Sequence, residues 1–374
     1  MQGTQGLEVV QGEPSWRLAH GAVELFVTAR GGHMAPVRFD LGDGKTASPY
    51  SLAPWQPQDC PDGMPPLLQV LRGDFFCLPF GVSKASPHPH GATANCEWSL
   101  LGRGPDRLHM ELHDPDLGAR IEKEIILVEG QRAVYQRHTV HGLKGAFNCG
   151  HHPILEFPEE AGPCAIRTGP VKFGQVYPGD FEDPAAGGYS SLKPGARFTS
   201  LGKVQLAAGG DTSLAEYPAR AGYEDLALIT ASDPVFGWTA VHFPGYVWLA
   251  LRNTMELPST LFWHSNGGRH YPPWSSRHRR RLGIEDVCSH FHDGVEISRE
   301  DHFRTKSIAT TLAFTPDQPR AIRHIQLVHP LPPGFTMVES ISRDAVGESI
   351  RLNSRTGGNL TVPVDWRFLY RDEA

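Results

Sequence analysis

Three short segments of this 374-residue chain gather groups that can move a proton or hold a metal: His88-Pro-His90-Gly91, His151-His152-Pro153 and His290-Phe-His292-Asp293. Two of them are H-x-H, in a sequence with 19 histidines. Imidazoles two residues apart share one face of a strand, so a single ion could take both as neutral ligands. Acid–base chemistry asks for less: one histidine titrating near neutrality and one carboxylate in a cleft. Glu285 is a candidate for the second group. It lies in Leu282-Gly-Ile-Glu-Asp-Val287, with apolar neighbours on both sides, where a carboxylate needs either a partner or a task. The partner would be an arginine such as Arg269 or Arg281; the task would be that of a general base. Cys149 stands near His151 and His152, but no nucleophile turn or oxyanion pattern accompanies it.

Aromatic residues flank these segments: Trp98, Phe157, and then Trp263, Tyr271 and Trp274. Sugars pack their C–H faces on such rings and take hydrogen bonds from Asn, Arg, His and Glu. The stretch from Trp263 to Trp274 mixes both types, including Asn266 and Arg269, and is the candidate for specificity.

The elements that must position these groups read as strands. Val23, Leu25 and Val27 alternate with Glu24, Phe26 and Thr28. Leu108, Met110 and Leu112 alternate with polar residues, the period of two expected of a sheet with one wet face. Further β-rich runs cover 121–128, 133–140, 246–251 and 308–314, while 226–230 suits a short strand or a buried turn. No segment sustains a helical apolar stripe over three turns. Forty glycines and 32 prolines punctuate the whole length, which favours many short strands. Proline-rich connections at 54–66, 178–194 and 330–333 have β-type segments on both sides. The expectation is an all-β chain forming one domain over 1–374, a large antiparallel sandwich in preference to a propeller.

With 40% hydrophobic and 20% charged residues, the chain can bury a sizeable core. Its net charge of −6 argues against nucleic acid or an anionic membrane as partner, and the basic run 277–281 reads as a solvated loop. The six cysteines are scattered without a C-x-x-C pair and are expected to be reduced thiols. No secretory start or membrane-length apolar run is evident, so the cytoplasm is the expected compartment.

Taken in order, four segments resemble the aldose 1-epimerase, or galactose mutarotase-like, superfamily. Arg72-Gly-Asp-Phe-Phe-Cys-Leu-Pro-Phe-Gly81 is similar to the R-G-G-x-P-x-x-F-P-x-F-G stretch of its hexose-6-phosphate mutarotase branch. His90-Gly-Ala-Thr-Ala-Asn-Cys-Glu-Trp98 resembles H-G-F-A-R-N-x-x-W of the same branch. Asn148-Cys-Gly-His-His-Pro153 matches the segment bearing the family's acid, and Leu282-Gly-Ile-Glu285 the one bearing its base. The resemblance implies a β-supersandwich, a small carbohydrate substrate, no cofactor and no metal, with His152 as acid and Glu285 as base. It further implies sugar contacts from His90 and Arg72, with Asp225 a weak counterpart of the aspartate that binds sugar hydroxyls. Asn266, Arg269 and Trp274 join them from the specificity stretch.

The departures are informative. Ala94 replaces the arginine that helps bind phosphate in the branch, which argues against a phosphosugar. Asp74 stands in place of a glycine, and Ile154-Leu-Glu-Phe157 replaces Y-F-N-L. Two alternatives therefore stay open: a carbohydrate-binding protein without turnover, and a metal-dependent sugar isomerase using the histidine clusters.

Overall fold

A computed structural model describes residues 6–300, 302–356 and 358–371. It is 47% strand and 7% helix, and its two large sheets are antiparallel throughout. Nine strands form the first sheet, in the order Glu216–Tyr217, Cys164–Thr168, Phe236–Phe243, Tyr246–Asn253, Arg320–Pro330, Ala133–His141, Ala119–Leu127, Arg107–Asp114 and Ser99–Arg103. The second sheet runs Arg197–Phe198, Val171–Val176, Glu224–Ala231, Ser259–Ser265, Arg281–Cys288, Cys149–His151 and Phe76–Cys77, with Ile154–Glu156 also paired to Arg281–Cys288. The all-β sandwich expected from the alternation is what forms.

The sheets meet face to face. Ile121, Ile125, Val241, Trp248 and Ile322 of the first pack in one cluster with Ala227, Ile229, Phe262, Leu282 and Ile284 of the second. Removing such side chains from water contributes roughly 1.5–3 kcal/mol each, so this layer dominates the sandwich. An N-terminal sheet of five strands adds Trp16, Leu25, Val27 and Phe39 to the same cluster. A C-terminal sheet (Ser340–Arg343, Ser349–Asn353, Asn359–Pro363) covers the outer face of the nine-stranded sheet through Ile350, Leu352 and Val362.

Local readings mostly hold. Leu108, Met110 and Leu112 are buried, as their alternation requires. The run 226–230 is strand, lying within Glu224–Ala231. At 308–314 only Leu312–Phe314 is strand. The residues before it serve a helix instead, the Thr310 hydroxyl donating to the Ser298 carbonyl at 2.7 Å. In the basic run Arg277 and Arg279 are exposed on a loop, while His278 between them is buried. All six cysteines are free thiols. Among the described residues, no helix is long and apolar enough to cross a membrane.

Between the sheets lies a polar layer. Asp286 accepts from Thr260 Oγ1 at 2.6 Å, meets Arg252 Nη1 at 3.0 Å and contacts His324 Nε2 at 2.8 Å. Asp74 accepts the side-chain amides of Gln136 and Gln326 at 2.5 and 2.6 Å. Those glutamines belong to the nine-stranded sheet, so Asp74 joins the two layers.

Candidate active site

The outer face of the second sheet carries its own apolar cluster, and a cavity of about 270 Å³ opens within it. Glu285 reaches it because side chains alternate along Arg281–Cys288: Asp286 points into the polar layer and Glu285 to the opposite face. His152 follows the strand Cys149–His151 and faces the same cavity. Its Nε2 lies 3.3 Å from Glu285 Oε1, both side chains being buried. The arginine partners considered for Glu285 are engaged elsewhere, Arg281 with Glu156 and Arg269 with Glu182.

Two neighbours fix the pair. Gly283 shares the face of Glu285 two residues earlier, and a Cβ there would stand 2.5 Å from Glu285 Oε1 and 3.1 Å from Trp263 Cβ. The missing side chain is the space the carboxyl occupies. On the other side, the His152 ring stacks on Phe75 at 4.6 Å, and His33 stacks on Phe75 at 4.4 Å. Asp74 Oδ1 accepts the His152 backbone N–H at 2.9 Å, while Oδ2 lies 3.1 Å from His151 Nδ1. His151 thus belongs to the polar layer and His152 to the cavity.

Burial sets the protonation of the pair. It pushes the Glu285 carboxyl well above the usual carboxylate range and pulls His152 down to about 4. Burial thus favours the uncharged form of both groups, an acid beside an imidazole across a 3.3 Å contact. His90 stands edge-on to His152, ring centroids 5.2 Å apart. Its Nδ1 accepts the Gly81 N–H at 3.3 Å, so in the neutral ring the proton sits on Nε2, which is free to donate. The turn holding it needs Gly91, whose φ is +77° and whose Cβ would meet the Leu78 carbonyl oxygen at 1.9 Å.

Arg269 and Trp274 also line the cavity. The guanidinium lies 4.5 Å from the Trp274 ring and 5.4 Å from that of Trp263, and its Nε donates to Glu182 Oε1 at 2.7 Å. Three other expected contacts lie outside. Arg72 donates to the carbonyls of Val70, Val10 and Gln11 at 3.1, 2.9 and 3.0 Å, anchoring the N-terminal segment. Asn266 ties Ala219 to Arg280 through its amide. Asp225 accepts from Ser191, Leu192 and Arg220 on the face away from the cavity. One position earlier, Glu224 is on the cavity side, where it accepts the Trp263 indole N–H at 3.0 Å and is raised to about 7 by burial. A single step along a strand reverses the face.

Sequence reasoning missed the wall formed by Leu67, Leu68 and Leu71, which comes from a short helix at Pro66–Gln69 and the residues after it. It also missed Phe181 and His292 as lining groups. Among the described residues, Asp74, His151 and His324 are near enough to share an ion. Asp74 Oδ2 and both nitrogens of His324 are already committed to Gln136, Gln326 and Asp286, and His151 Nδ1 to Asp74, while His151 Nε2 is unpaired. The imidazoles of His151 and His324 also stack nearly parallel at 4.5 Å, so their in-plane lone pairs do not converge. The H-x-H residues His290 and His292 are divided, His290 contacting Asp293 at 2.8 Å and His292 lining the cavity.

This architecture is the galactose mutarotase-like fold. A galactose mutarotase-like protein from Lactobacillus casei superposes with a TM-score of 0.54 at 10% identity, over 84% of this chain and 100% of that one. A galactose mutarotase related enzyme from Lactobacillus acidophilus gives 0.53 at 11% identity, over 85% and 98%. A TPR-domain containing protein from Parabacteroides distasonis matches as well, at 0.54 and 10% identity, over 89% of this chain and 49% of that one. Likeness at this distance establishes the fold and leaves the activity to the site. No family model matches the sequence, and no curated protein matches it significantly.

Proposed function

We propose that the chain interconverts the anomers of a sugar by acid–base ring opening and closing, in the manner of an aldose 1-epimerase. The observation that carries this reading is the buried His152–Glu285 pair, 3.3 Å apart and facing a cavity. Ring opening needs a base for the anomeric hydroxyl and an acid for the ring oxygen, and the pair owns one proton for the purpose. Transfer of that proton from Glu285 to His152 arms it. The carboxylate then takes the proton from O1–H, the imidazolium gives its proton to O5, and the C1–O5 bond breaks to the aldehyde. Rotation about C1–C2 and closure with the roles reversed deliver the other anomer, with no redox change. His90 Nε2–H would donate to the ring oxygen or a neighbouring hydroxyl.

The test is anomeric exchange by NMR on a panel of aldoses, with and without chelator. Glu285→Gln should abolish most of the acceleration, at least about a hundredfold, with the circular dichroism spectrum unchanged. Near wild-type exchange in that variant would refute the assignment. Loss of exchange on adding chelator would favour a metal-dependent isomerase.

A further inference from the structure

The lining of the cavity narrows the substrate. Resting on the acid–base reading above, we infer that the site takes an uncharged cyclic hemiacetal whose ring substituents are largely apolar, such as a deoxy or O-alkylated sugar, in preference to a free or phosphorylated hexose. The argument is one of hydrogen bonds. A free hexose brings a hydroxyl on nearly every carbon, and each one buried without a partner costs about 1–3 kcal/mol. The polar groups facing this cavity are few and mostly committed. Glu285 and His152 serve the anomeric centre, the Nδ1 of His90 is taken by Gly81, and the charge of Arg269 is held by Glu182, which leaves the Nε2 of His90 and the His292 ring for one or two hydroxyls.

Most of the remaining lining has nothing to offer a hydroxyl. Leu67, Leu68 and Leu71 line the cavity beside Phe75, Leu226 and Trp263. Aromatic rings alone would suit the C–H face of an unmodified sugar. Three leucines do not: an aliphatic wall stabilises alkyl groups, at about 0.8 kcal/mol per buried methylene. Phosphate is disfavoured on separate grounds. Arg269 is the cationic side chain of the lining, and its guanidinium is already bonded to Glu182 and lies over Trp274.

The probes are tetra-O-methyl-D-glucose, which keeps a free anomeric hydroxyl, D-glucose and glucose 6-phosphate. Anomeric exchange and ligand-observed NMR titration are run in parallel on the full chain. The inference expects tetra-O-methyl-D-glucose to bind at least about tenfold more tightly than glucose, with no saturable binding of the phosphate. It also expects Leu68→Asn, at a half-buried wall position, to narrow that preference. Equal or tighter binding of glucose or its phosphate overturns the inference, as does a preference that Leu68→Asn leaves unchanged. The titration reads substrate class even if no sugar is turned over. Selective binding without exchange would therefore sink the enzymatic reading alone, and exchange that favours glucose would sink the substrate class alone.

Discussion

Ten histidines are pulled below their ordinary value: His33, His90, His138, His151, His152, His242, His264, His278, His292 and His329. Desolvation is the first cause for each, and the depression reaches about 3 for His33 and about 4 for His151, His152, His242 and His329. An unfolded chain restores all ten to about 6.5. As the pH falls through that value the unfolded state binds protons that the native state refuses, so stability is lost until the native values are reached. Four carboxyls oppose the trend. Burial raises Glu285 and Asp114, and it lifts Glu224 and Glu256 to about 7. The native state protonates these first, gaining stability on acidification until unfolded carboxylates titrate near about 4.3. Near pH 5.5 the histidine protons taken up on unfolding outnumber the carboxyl protons given back, and each proton of the excess contributes about 1.4 kcal/mol per pH unit. Against a total stability of about 5–15 kcal/mol, an excess of a few protons removes much of it within about one to two units of acidification. Urea unfolding followed by far-UV circular dichroism at steps between pH 7.5 and 5 measures the slope directly. The midpoint should fall steeply below about pH 6.5 with the m-value constant, and activity should disappear together with the fold. A midpoint that holds or rises over that range would show that the rings are charged in the native state, and the reasoning fails.

Two further substitutions follow from the site. Gly283→Ala should displace the Glu285 carboxyl and lower kcat by about a hundredfold with little change in the urea midpoint; an unaffected kcat would mean that the carboxyl has another resting place. Asp74→Ala leaves the Gln136 amide without its acceptor and the His152 backbone N–H and Gln326 amide with only the Phe75 carbonyl and the His324 ring, and should cost about 1–3 kcal/mol by the same unfolding assay, whereas a loss below about 1 kcal/mol would show that water replaces it.

Strand alternation made the sandwich legible, since burial on one face writes a period of two into runs such as Leu108 to Leu112. The same rule limited the site. Asp225 was recognisable as a candidate, yet which acid of its strand faces the cavity depends on where the pleat begins, and it is Glu224 that meets Trp263. Arg72 stands in a motif suggestive of sugar contact, but its neighbours in space are the carbonyls of Val10 and Gln11, some 60 positions away in the chain. Asp74 was visible only as a departure from glycine. Its partners lie on another sheet, and no local pattern announces such a bond. The leucine wall was hidden just after a proline-rich connection, where four residues of helix leave no periodicity to read.

The Asp74 bridge makes the cavity sensitive to positions that no ligand could touch. The backbone of His152 is held by a carboxylate whose other oxygen is gripped by Gln136 and Gln326 of the opposite sheet. The acid is thus aimed in part by the back of the molecule. A substitution on Arg320–Pro330 that shifts Gln326 by a fraction of an ångström would move a proton donor one layer away, altering turnover while leaving every wall of the pocket unchanged. In such an architecture the far sheet and the chemistry cannot drift independently, and a homologue's activity would be judged as much by what lies at the glutamine positions as by the pair in the cavity.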